Sequence, residues 1–125
     1  MRAVAGLIVG AAVLLAACAQ EPEAPPSDLS LGLEAIKKGE LPAAEQHFNK
    51  ILAENPNDAY ANLNIGLLKA RTGRREEAIG HYQLAAANGE DLPVLSIVRP
   101  GEADAEPFTG TVADVARRNL ANLGV

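Results

Sequence analysis

Three side chains in this 125-residue chain offer distinctive chemistry: one thiol, Cys18, and two imidazoles, His47 and His81. A single cysteine cannot close an internal disulfide, so Cys18 is either a buried thiol or a site of covalent modification. It stands directly after Leu15-Ala16-Ala17, the end of an uncharged apolar run that begins at Ala3. The two histidines suit metal ligation or proton transfer. No Asp, Glu or Cys recurs in sequence at ligand spacing with either of them, and each directly precedes an aromatic residue, Phe48 or Tyr82. Periodic structural use explains that placement better than catalysis, which needs a mutual constellation of groups. The chain has no Gly-rich phosphate loop and no serine elbow. Gly89-Glu90-Asp91 and Gly101-Glu102-Ala103-Asp104 lack the alternating oxygens and distal Glu of a calcium loop. The sequence thus argues against an enzyme, and no catalytic residue, metal or cofactor is expected.

The histidine spacing is part of a longer self-similarity. Leu29, Leu31, Gly32, Leu33, Lys37, Gly39, Ala44, His47 and Phe48 reappear at one constant offset as Leu63, Ile65, Gly66, Leu67, Arg71, Gly73, Ala78, His81 and Tyr82. Local signals cut each copy into two helices. Ser27 or Asp28 caps the first, which meets Gly39; the second starts near Pro42 and runs to Asn55-Pro56. Asp58 caps the third, stopped by Gly73, and Arg74 to Asn88 make the fourth, closed by Asn88-Gly89. Ala44, Phe48, Ile51 and Leu52 fall on one helical face, and Ala78, Ile79, Tyr82, Leu84 and Ala85 are expected inward or half-buried.

These residues resemble the tetratricopeptide family, whose helix–turn–helix repeat has this same period, about 34 residues. Leu31-Gly32 and Ile65-Gly66 fill its bulky-plus-glycine pair. Ala44 with Phe48, and Ala78 with Tyr82, fill its small residue and aromatic four later, and Pro56 closes the first copy. The family's Trp position holds Asp28 and Asn62, its Tyr position holds Ala35 and Lys69, and Glu90 stands where the second closing Pro belongs. The resemblance implies an all-α fold of two tandem repeats, about 27–58 and 59–91, built to bind rather than to catalyse.

After Asp91 the pattern changes. Residues 92–110 form an irregular connection, with an apolar Leu92–Val98 segment, a turn at Arg99-Pro100-Gly101 and an acidic stretch. Thr111-Val112-Ala113-Asp114 has the form of a capping box. It opens a helix over 111–124 with Val112, Val115, Ala116, Leu120 and Leu123 on one stripe, resembling the lone final helix that closes many tetratricopeptide arrays.

At the other end, Arg2 and the apolar run have the anatomy of a secretory signal peptide over 1–17, too short for a comfortable membrane span. Leu15-Ala16-Ala17-Cys18 resembles the bacterial lipobox. That resemblance implies cleavage before Cys18, lipidation of its sulfur and acylation of its new amine, giving an anchor far firmer than a single acyl chain. Ala19, rather than Asp, after the cysteine resembles outer-membrane sorting in enterobacteria-like lipoproteins, with the inner membrane as the alternative. Residues 18–26 then form the lipidated cysteine and an extended Pro/Glu-rich spacer, reaching roughly 25 Å at ~3.1 Å per residue.

Removing Met1–Ala17 leaves ten basic and sixteen acidic residues, a net charge of −6. With no Lys/Arg run, that excludes a nucleic-acid footprint. The expected function is a membrane-anchored adaptor that binds a periplasmic protein or peptide and helps assemble an envelope machine such as a pilus or secretin, with no small-molecule substrate. The alternatives are a self-associating structural lipoprotein and, lowest, a periplasmic enzyme. By the phase of the resemblance, the partner groove draws Leu29, Leu33, Ile36 and Lys37 from the first repeat. Tyr60, Leu63, Leu67, Ala70 and Arg71 come from the second. Some of these leucines serve the core instead if two repeats leave no room for both surfaces.

Cys18→Ala is expected to move the protein out of the detergent phase of a phase-separation assay, or to leave an uncleaved precursor. Wild-type protein found in the aqueous phase would rule out the lipid anchor.

Overall fold

The computed structural model describes residues 24–94 and 110–125. These fold into five helices: α1 (Asp28–Lys38), α2 (Leu41–Glu54), α3 (Ala59–Arg71), α4 (Arg75–Asn88) and α5 (Val112–Asn122). Among the described residues there is no strand, only an isolated antiparallel bridge between Pro93 and Thr111. The fold is all-α.

Helix ends follow the local chemistry. Ser27 caps α1, its hydroxyl accepting from the Ser30 amide at 3.2 Å. The Asp58 carboxylate accepts from the Ala61 amide at 2.8 Å and caps α3. Gly39 and Gly73 adopt φ of 77° and 76°, the left-handed turn that ends a helix at little cost only for glycine. Thr111 and Asp114 form a reciprocal capping box at the start of α5. Gly89 works differently from a left-handed stop. Its φ is −113°, but an added β-carbon would lie 2.7 Å from the Ala85 carbonyl oxygen and 2.8 Å from Val112. Its missing side chain lets α5 start against the end of α4.

α1 packs on α2, α3 packs on α4, α2 meets α3, and α5 lies on α4 with a smaller contact to α3. In each hairpin a ring fills the space above a glycine. A β-carbon at Gly32 would stand 2.7 Å from the Phe48 ring, and one at Gly66 would stand 2.7 Å from the Tyr82 ring. Phe48 is fully enclosed and Tyr82 nearly so.

α3 is the central element and feeds two apolar clusters. It gives Ala61, Ile65 and Leu68 to the cluster around Phe48, and Ala59 and Leu63 to the cluster around Tyr82, which α5 completes with Val112, Val115 and Ala116. A helix buried on two sides has no single apolar stripe, whereas α5, buried on one side, has a clear one. One inward expectation fails: Leu84 is 39% exposed, because α4 turns it away from both α3 and α5.

Phe48→Ala is expected to destabilise the fold by about 3–5 kcal/mol, the range for truncating an enclosed aromatic. Gly66→Ala should cost about 1–3 kcal/mol by driving a methyl into the Tyr82 ring. Thermal melts followed by circular dichroism test both, and a neutral result at either site would show the hairpin contact to be looser than described.

Candidate binding groove

Leu29 and Leu33 of α1 converge with Tyr60, Leu63 and Asn64 of α3 on one shallow apolar cleft. Its remaining wall comes from outside the paired hairpins, from Val94 and Val112. The wall is held in place by main-chain bonds. The Val94 amide donates to Gly110 at 3.2 Å, Val112 donates to Leu92 at 2.9 Å, and Ala113 donates to Gly89 at 3.1 Å. The Tyr60 hydroxyl reaches across and donates to the Pro93 carbonyl at 2.6 Å. The cleft is open to solvent and holds about 20 Å³, room for one water.

The cleft gathers only part of the groove expected from the sequence. Leu29, Leu33, Tyr60 and Leu63 line it. Leu63 is its floor and not an open surface, being 5% exposed and part of the Tyr82 cluster. Ile36 packs against the Phe48 cluster and Ala70 against the Tyr82 cluster, both half-buried. Leu67 is half-buried and does not line the cleft, while Lys37 and Arg71 are exposed one turn beyond Leu33 and Leu67. Val94, Val112 and Asn64 also line the cleft, outside the groove positions given by the repeat phase. Val112 was legible as inward on α5, but only the docking of α5 brings it to this face. Asn64 had a signal, a polar residue inside the apolar Ala61–Leu68 run. Cys18 and residues 95–98 of the apolar tail segment lie outside the described residues.

Both histidines have partners that their spacing along the chain did not give. His47 Nδ1 lies 2.8 Å from Asp28 Oδ1, with Lys50 Nζ at 3.5 Å from the same oxygen. His81 Nδ1 lies 2.9 Å from Asn62 Oδ1. Asn62 is fully enclosed, and its Nδ2 donates to the Pro56 and Asp58 carbonyls. Asp28 and Asn62, separated by the same offset as the two histidines, therefore hydrogen-bond them. The His47 bond holds the Asp28 carboxyl below the usual carboxylate range. Burial, helped by the Lys69 charge, lowers the His81 pKa.

A second polar cluster joins the hairpins. Lys69 of α3 is largely buried and places Nζ 2.7 Å from Glu45 of α2 and 2.9 Å from Glu77 of α4. Arg74 Nη2 sits 2.9 Å from the other Glu45 oxygen. Arg74 and Lys69 depress the Glu45 pKa, Lys69 depresses that of Glu77, and Glu45 raises that of Lys69. At the far end Arg117 of α5 pairs with Glu90.

Family models, curated proteins and solved structures give no match to this chain. Among the described residues no group of three His, Cys, Asp or Glu side chains could hold a metal ion, and no helix is long and apolar enough to cross a membrane.

The pKa shifts set the pH dependence of folding. A depressed pKa means that the folded state binds fewer protons than the unfolded one, so stability falls as pH falls through the window between the two values. For His81 that window opens at about pH 6.5 and extends downward. For Glu45 and Glu77 it opens at about pH 4.5. The melting temperature should drop in two stages on acidification. His81→Gln should remove the upper stage and Glu45→Gln should flatten the lower one. An unchanged profile in both variants would show that these contacts do not persist in solution.

Proposed function

We propose that this protein is a membrane-anchored tetratricopeptide adaptor, tethered through a lipid on Cys18, that holds a periplasmic protein or peptide near the outer membrane. The observation that carries the binding reading is the cleft. There α1, α3 and the tail bring apolar side chains together beside the Asn64 amide. Apart from Leu84 and Val125, the described surface exposes no large hydrophobic residue. The cleft is an apolar recess between two hairpins, the kind of face that could take an apolar side chain of a partner.

The repeat reading is supported by contacts that recur at the same offset in both hairpins: Gly32 with Phe48 and Gly66 with Tyr82, Asp28 with His47 and Asn62 with His81. α5 then acts as the terminal cap, covering the Tyr82 cluster and turning Asp114, Arg117 and Arg118 outward. Lys37 and Arg71 give the face a basic end suited to an acidic terminus on the partner. Pro25 and Pro26 are exposed and non-helical, in keeping with a spacer that lifts the helices off a lipid surface. Helping to assemble an envelope machine such as a pilus or secretin is the role that fits such a tethered module.

A photo-crosslinking residue placed at Leu33 should give a discrete adduct in intact envelopes, and one placed at exposed Ala121 of α5 should not. An adduct of twice the protein's own mass would favour the self-associating alternative. Equal cross-linking from both positions would remove the cleft as the binding face.

A further inference from the structure

We infer that the outer face of α4 is a second docking surface, on which a helix of a partner protein seats an aromatic ring over Gly80. The cleft takes no residue from α4, so the two surfaces are separate. Three glycines lie inside the described helices: Gly32, Gly66 and Gly80. Gly32 and Gly66 each lie under a ring, so close that a β-carbon has no room. Gly80 has the opposite surroundings. It is exposed, its backbone is not left-handed, and an added β-carbon would meet no described atom within 4 Å. Neither a turn nor a contact within the described fold accounts for it, and glycine inside a helix weakens that helix relative to alanine. One turn further on, Leu84 is 39% exposed, and one turn back the Glu76 side chain is 86% exposed. Steps of four residues put Glu76, Gly80 and Leu84 on one face of α4. One repeat earlier, the places of Gly80 and Leu84 on α2 hold exposed Gln46 and Lys50. That is the polar face a helix shows when it meets water alone, and α4 departs from it at both places.

The occupant follows from the way this molecule covers its other helical glycines. In both hairpins the cover is an aromatic ring carried by a facing helix, Phe48 of α2 over Gly32 and Tyr82 of α4 over Gly66. A missing side chain lets two helices approach closely, and a ring then fills the space between them with a large apolar contact. The described aromatic residues of this chain are already engaged: Phe48 and Tyr82 are enclosed, and Tyr60 is bonded to Pro93. The ring over Gly80 therefore comes from another molecule. Charge fixes what stands beside it. Glu77 turns inward to Lys69 at 2.9 Å, so the outward carboxylate of this turn is Glu76, with Arg75 at 3.8 Å. A cationic side chain next to the ring would complement Glu76, and the net negative charge of the chain favours a basic partner. The occupant is an amphipathic helix of a partner protein. It carries Phe or Tyr for Gly80, an aliphatic residue one turn to one side for Leu84, and Lys or Arg one turn to the other for Glu76.

The test uses the full chain in detergent and fluorescence anisotropy of labelled, stapled 14-residue helices. Each probe carries Phe at the centre of one face, Leu one turn to one side and Arg one turn to the other, in both orders along the helix. The expected result is that one order binds and that replacing its Phe by Ala weakens binding about tenfold. Gly80→Leu should weaken the Phe probe equally and leave the Ala probe unaffected, a non-additivity that assigns the contact to this pair of positions. The same variant should raise the melting temperature, because leucine favours the helix and meets no neighbour. Glu76→Lys should weaken the Arg probe and strengthen one with Glu in its place. Leu33→Glu, at the cleft, should bind the Phe probe unchanged. Loss of binding in Leu33→Glu with none in Gly80→Leu would overturn the α4 surface while leaving the cleft reading standing, and so would failure of every probe to bind. A fall in melting temperature in Gly80→Leu would show that the chain itself fills the seat. A dimer in light scattering that Gly80→Leu dissociates would put a second copy there instead of a partner.

Discussion

In both hairpins an aromatic ring occupies the space that a side chain at the facing glycine would need, and the remaining packing is arranged around that contact. With Phe48 over Gly32 and Tyr82 over Gly66, the paired helices approach closely enough to enclose their small residues, Ala35 and Ala44 in one hairpin and Ala78 and Ala85 in the other. The polar partners follow from the same register. Each histidine directly precedes its ring, and each of Asp28 and Asn62 lies one helical turn before its glycine. Docking the ring therefore carries the imidazole to that side chain. The bond then satisfies polar groups that would otherwise be desolvated beside an apolar seam.

Position in the stack makes the two copies differ. The first hairpin has one covered side, so its polar pair stays partly in water and tolerates a carboxylate with Lys50 nearby. The second hairpin lies between α2 and α5, and there the equivalent of Asp28 is the neutral, fully enclosed Asn62. An isolated carboxylate in that place would carry a large desolvation cost. Lys69, the buried charge between the hairpins, is shared: it touches the two carboxylates of Glu45 and Glu77, and Glu45 is held by both Lys69 and Arg74.

The tail converts a flat helical face into a cleft. Gly89 lets α5 begin against α4, and the bonds among Gly89, Leu92, Val94, Gly110, Val112 and Ala113 bring the two ends of the connection together. Val94 and Val112 then stand opposite Leu29 and Leu33, with Tyr60 bonded to Pro93 between them. α5 consequently covers the second apolar cluster and shapes the recess that Asn64 helps to line.

Much of the architecture was determined by sequence alone, because the signals involved are local. Ser27, Asp58 and Thr111 cap helices by bonding amides three residues away, and Gly39 and Gly73 end them through their own backbone angles. The recurrence at a fixed offset likewise placed Gly32, Gly66, Phe48 and Tyr82 in register before any contact was known. What the tertiary structure decided depends on residues far apart in the chain. Asp28 meets His47 across 19 positions and Lys69 meets Glu45 across 24. Val112 reaches the face of Leu33 only after a whole helix has docked. No periodicity encodes those meetings, since hydrogen bonds and ion pairs depend on distances fixed by packing. For the same reason Leu63 became a floor, Leu84 faced outward, and Asn64 came to line the cleft.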